Sequence, residues 1–152
     1  MSGIGLSGDA RHLSEEELVR RGRDAVKRGR FEEAGEALFE YCGRLERQGR
    51  PISPVILANY ALCLGQASRV REGLEISRLL AAGRARHPEV SLCLAKLYLL
   101  AGLKRPAVEA VDQGLALSPH NGELCRLREE LGLRRAPPLP FLPRGNAVNV
   151  RL

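Results

Sequence analysis

The chain has 152 residues, 44% hydrophobic and 28% charged, with a net charge of +6; that balance excludes wholesale disorder. No run approaches the ~20 apolar residues of a membrane-spanning helix. Only 4% of residues are aromatic and none is Trp, so the core must rest on Leu, Ala and Val, which suits helix-on-helix packing better than a β-sandwich.

In chain order, residues 1–13 read as a flexible leader. The stretch MSGIGLSGDARH carries neither the basic nor the apolar region of a secretory signal, and a cytoplasmic location is expected. Ser14 followed by Glu17 is a capping-box pattern and starts the first helix. KRGRFEEAGEAL, residues 27–38, supplies a turn at Gly29 and opens a second helix with Phe31, Glu32, Glu33, Ala34 and Leu38. RQGRPIS, residues 47–53, is a turn-rich connection. A helix is predicted over Pro54–Gln66 and another over Arg69–Arg84, the latter with Val70, Leu74, Ser77, Leu80 and Ala81 as its inward stripe.

SLCLAKLYLLAG, residues 91–102, has Lys96 as its single charge and so leaves no polar side for water. Pro106 falls near the start of the following helix, where a missing N–H is tolerated, and Pro119 closes that helix. Asn121 is the expected cap of a last helix striped by Leu124, Leu127 and Leu131 and stopped at Gly132.

Small residues recur along this series. Ala34, Gly73 and Ala107 are 39 and 34 residues apart, and Gly22, Ala61 and Ala95 precede them by 12 residues each. Antiparallel helices joined by a short turn approach closely only where side chains are minimal, so such pairs mark helix crossings. The third unit, with Leu94, Ala95, Tyr98, Gly102, Ala107, Val111, Gly114 and Pro119, resembles the tetratricopeptide repeat (TPR), whose period is ~34 residues. Ser91 stands where that pattern has tryptophan, and Arg21 stands at a usual leucine position of the first unit. The resemblance implies an all-α fold: a right-handed superhelical array of antiparallel helix hairpins, an α-solenoid. Three repeats and a capping helix would occupy residues 14–132, followed by a tail at 133–152.

The same resemblance implies a concave groove lined by the first helix of each repeat. Its partner-binding candidates are Val19, Arg23, Val26 and Lys27, then Val55, Ala58, Asn59 and Leu62, then Leu92, Lys96, Leu99 and Leu100. An apolar middle framed by Arg23, Lys27 and Lys96 predicts a protein or peptide partner with an acidic bias. Some TPR domains instead clamp the terminal carboxylates of acidic tails with Lys and Asn. The corresponding positions here hold Arg23, Asn59, Glu89 and Cys93, and that mode is not expected.

The tail, RRAPPLPFLPRGNAVNVRL, contains Pro137, Pro138, Pro140 and Pro143, which favour extended polyproline conformation. Pro140, Phe141, Leu142, Val148 and Val150 are its candidate docking residues, seated either on its own array, the groove included, or on a partner. Arg134, Pro137 and Pro140 also meet an RxxPxxP spacing.

Catalysis is not expected. His12, His87 and His120 form no ligand pair, the cysteines form no CxxC, and no nucleophile elbow or phosphate-binding loop is present. Neither a cofactor nor a metal is expected. Nucleic acid is a remote option, because Arg71, Arg78, Arg84 and Arg86 lack interleaved aromatics. The expected role is a non-catalytic adaptor or scaffold, with a chaperone of the type III secretion translocator kind as the alternative.

Overall fold

The computed structural model describes residues 10–83 and 86–132. Among these residues it contains seven α-helices, one 3-10 turn and no strand. The helices are α1 (Glu15–Lys27), α2 (Phe31–Arg47), α3 (Pro54–Gln66), α4 (Val70–Ala82), α5 (Pro88–Leu100), α6 (Lys104–Leu117) and α7 (Gly122–Glu130). They pair as hairpins α1/α2, α3/α4 and α5/α6, with α7 against α6. The first helices α1, α3 and α5 form one layer; α2, α4 and α6 form the other and stand apart from one another.

Local chemistry sets the helix ends. Ser14 Oγ accepts from the Glu17 N–H at 3.3 Å while Glu17 Oε2 accepts from the Ser14 N–H at 2.8 Å, a complete capping box. That hydrogen bond from the Ser14 backbone holds the Glu17 carboxyl below its ordinary pKa. Pro54 and Pro88 open α3 and α5, where no intrahelical donor is needed. Asn121 Oδ1 accepts from the Leu124 N–H at 3.1 Å and starts α7. Between paired helices the chain reverses through one left-handed residue: Gly29 in the first hairpin, Ser68 in the second and Gly102 in the third.

Of the small-residue pairs, Ala61 and Gly73 meet across their hairpin, whereas Gly22 lies under Leu38. A Cβ on Gly73 would lie 2.7 Å from the Ala61 carbonyl oxygen, so α3 and α4 meet almost backbone to backbone there. Leu38 of α2 fills the space over Gly22, whose Cβ would lie 2.6 Å from Leu38 Cδ2. Ala34, Ala61, Ala95 and Ala107 are fully buried. Where the repeats lack leucine, Arg21 reaches across the first hairpin to Glu33 at 3.0 Å.

One continuous apolar core joins the second and third hairpins to α7, through Leu62, Leu80, Val90, Leu92, Leu94, Val111 and Leu124. Each such side chain withdrawn from water contributes about 1.5–3 kcal/mol. A second cluster links α1, α2 and α3 through Ala25, Leu38, Ile56 and Cys63. The central helix α5 is buried from Val90 through Ala95 and at Leu97. Its missing wet side is explained by α3, α4 and α6, which pack on it. At the end of the array, Leu124 and Leu127 of α7 cover the last hairpin.

Two expectations require correction. The leader does not run loose to residue 13: Ala10–His12 form a 3-10 turn, Ala10 is buried, and Leu13 packs beside it. Arg44 fixes this turn by donating to the carbonyls of Leu13 at 2.7 Å and Arg11 at 2.9 Å. In α4 the buried stripe is Gly73, Ser77 and Leu80, whereas Ala81 is exposed. Ala81 is left uncovered because α6 does not close against α4.

Candidate interaction groove

The layer of α1, α3 and α5 gathers all twelve groove candidates, but not all of them reach its surface. Val19, Val26, Val55 and Leu99 are half-buried, Leu100 is 42% exposed and Lys27 is exposed. Ala58 and Leu62 are 1% exposed and Leu92 is 8% exposed. These three are core residues and offer no surface to a partner, contrary to the expectation of an open apolar floor. The cause is the tight seating of α5 on α3: Leu97 lies directly over Gly65, and Val26, Val55 and Leu99 close over the cluster that holds Ala58, Leu62 and Leu92.

At the centre of this face, the four positions where a carboxylate clamp was dismissed form one hydrogen-bonded network. Arg23 Nη2 of α1 donates to Glu89 Oε2 of α5 at 2.9 Å, and Asn59 Nδ2 of α3 donates to Glu89 Oε1 at 3.1 Å. Asn59 also donates to the Val55 carbonyl at 2.9 Å, and its Oδ1 accepts from Cys93 Sγ at 3.4 Å. The 2% exposure of Asn59 matters here: a buried amide must be satisfied, and all its partners lie within the array. One carboxylate therefore ties the first helices of all three repeats. Burial, followed by the nearby Glu89 charge, pushes the Cys93 thiol up to about 12, so it remains a neutral donor.

This pairing also alters the electrostatics of the face. Arg23 is committed to Glu89, and Lys96 lies 3.8 Å from Glu123 of α7. Two of the three basic residues expected to attract acidic partners already face an internal carboxylate. Beside them, Glu16, Val19, Arg20, Asp24 and Lys27 line a hollow of about 620 Å³ in which both signs of charge alternate.

A second recess went unforeseen in the sequence. It lies between α4 and α6 over the flank of α5, has a volume of about 610 Å³, and is lined by Leu80, Leu94, Tyr98, Ala110, Ala116 and Leu117 among others. Ala81 and Ala116, exposed small residues on the two facing helices, were its only sequence signal. The tail candidates Pro140, Phe141, Leu142, Val148 and Val150 lie outside the described residues.

No three of His, Cys, Asp or Glu among the described residues lie close enough to share a metal ion. Cys63 and Cys93 are buried, and burial pushes the Cys63 thiol up to about 12, far from a reactive thiolate. No described helix is long and apolar enough to cross a membrane.

No family model matches the sequence, and no curated protein matches it. A solved structure does match the fold: the NMR structure of the first TPR domain of the human RPAP3 protein. It aligns with a TM-score of 0.60 at 16% sequence identity, over 85% of this chain and 91% of that one. With its three helix hairpins, left-handed hairpin turns and closing helix, the chain has the all-α, TPR-like solenoid fold.

Proposed function

We propose that the protein is a non-catalytic interaction scaffold that holds a segment of another protein against the layer of α1, α3 and α5. The observation that carries this is the row of partly exposed apolar side chains, Val19, Val26, Val55, Leu99 and Leu100, contributed by three helices tied together through Glu89. Such a surface is pre-organised, so a ligand loses little free energy in ordering it. A strip of aliphatic groups rimmed by mixed charges fits an apolar or amphipathic segment. An acidic segment is favoured less than the bare sequence implies, because Arg23 and Lys96 are engaged internally and Lys27 is left as the accessible cation of the three.

The test is selection of displayed peptides on the immobilised full chain, followed by titration of the winners. Peptides with apolar residues at helical or extended spacing are expected, and their binding should fall at least tenfold with Leu100→Lys or Val55→Lys (~1.4 kcal/mol). Arg71→Glu, on the other layer, should leave binding unchanged. Peptides indifferent to both groove substitutions would refute the assignment.

A further inference from the structure

The recess between α4 and α6 lies on the opposite layer from the groove. Its apolar lining comes from Leu80 of α4, Leu94 and Tyr98 of α5, and Ala110 and Leu117 of α6, with Leu117 43% exposed, while Arg86 and Glu109 also line it. Ser91, Tyr98 and Gln113 add polar groups able to pair with an extended backbone. A site with this chemistry suits a polyproline-type strand, which has no internal hydrogen bonds and presents side chains with a period of three.

We infer that this recess is the seat of the chain's own segment 137–143, PPLPFLP. The position of Gly132 makes the path short. Arg128 of α7 donates to Asp112 of α6 at 2.7 Å and to the Gly132 carbonyl at 3.0 Å, which anchors the end of the described chain alongside α6. The recess begins on another flank of that same helix, a distance on the order of one helix diameter, ~10–12 Å. Twenty residues follow Gly132. At ~3.1 Å per residue the nine from Gly132 to Phe141 span ~28 Å, ample to pass over α6.

The composition of the segment fits the recess. Leu139 and Leu142, three residues apart, share one side of a polyproline helix, and Phe141 adds the aromatic anchor. Four prolines restrict the free segment and so reduce the entropy lost on seating it. The groove on α1, α3 and α5 fits it less well, since Ala58, Leu62 and Leu92 are closed off there. Seating 137–143 on the opposite layer leaves that groove open, so the two interactions are independent.

Photo-crosslinking in the full chain tests this. With Phe141 replaced by the photoreactive benzoylphenylalanine, irradiation should give adducts within one chain, on peptides containing Leu80, Pro106 or Leu117, in a yield independent of dilution. Ala116→Arg should lower that yield about tenfold, because the long side chain fills space the segment would occupy, without changing the helical circular dichroism. As a second measure, Phe141→Ala with Leu142→Ala should speed hydrogen exchange of α6 amides. Adducts on α1 or α3, adducts between two chains, or no adduct would each overturn the assignment, the second pointing to another copy as the occupant.

Discussion

Ser68 has a φ of +62° at the hairpin position where Gly29 and Gly102 have +71° and +72°. All three turns make the same reverse bond: Arg30 N–H to Ala25 O, Arg69 N–H to Leu64 O and Leu103 N–H to Tyr98 O, each at 2.8 Å. The backbone is thus the same in each, and only the second turn carries a Cβ. A left-handed residue with a Cβ costs about 1–2 kcal/mol. Ser68→Gly removes that strain and returns about 0.4–1 kcal/mol of freedom to the unfolded chain. The net expectation is a stabilisation of roughly 0.5–1 kcal/mol, or a rise of about 1–4 °C in Tm for a chain of this size. Gly102→Ala is the mirror experiment. Nothing lies within 4 Å of its added Cβ, so the loss should come from the backbone alone and be of similar size. Urea unfolding of the full chain, followed by circular dichroism at constant m, measures both. A Ser68→Gly protein no more stable than the parent, or an unharmed Gly102→Ala protein, would refute the assignment of strain to this turn.

Three further outcomes are expected. Gly43→Ala, whose Cβ meets nothing nearer than Arg47 Nη1 at 3.7 Å, should stabilise α2 by about 0.5–1 kcal/mol, whereas Gly73→Ala, facing the Ala61 carbonyl at 2.7 Å, should destabilise by about 1–3 kcal/mol in the same urea assay. A double-mutant cycle of Arg23→Met and Glu89→Gln should give a coupling of about 0.5–1 kcal/mol, modest because both side chains are partly solvated at 43% and 27% exposure. Burial pushes the thiols of Cys63 and Cys93 up to about 12 and that of Cys42 to about 11, above the ordinary 9.0, so their stabilising contribution is complete below pH 9 and lost as pH rises toward those values. Stability should fall by up to about 1.4 kcal/mol per pH unit per thiol above pH 9, and a flat profile to pH 11 would contradict the burial of these groups.

Much of the fold was legible because its signals are local. Ser14 with Glu17 and Asn121 mark helix starts through hydrogen bonds only a few residues long, Pro54 and Pro106 through the donor they lack, and the observed boundaries follow them. Ala61 with Gly73 was readable because helices 12 residues apart in register can meet only over a missing side chain. The site was less legible. Arg23 and Glu89 are separated by 66 residues, and their ion pair depends on how two hairpins stack, which no local pattern encodes. Leu92 was assigned to the groove by its repeat position; its burial follows from the depth at which α5 sits on α3. The α4–α6 recess is a gap between second-layer helices, and a gap leaves almost no mark on composition.

The enclosure of α5 on nearly every side has a consequence during synthesis. When Pro88–Leu100 leaves the ribosome, α3 and α4 are already available to cover one flank, but α6 and α7 have still to emerge. At roughly 5–20 residues per second that interval lasts a few seconds. During it, Leu94 and Leu97 have incomplete cover, and the nascent chain is most exposed to self-association and to holding factors.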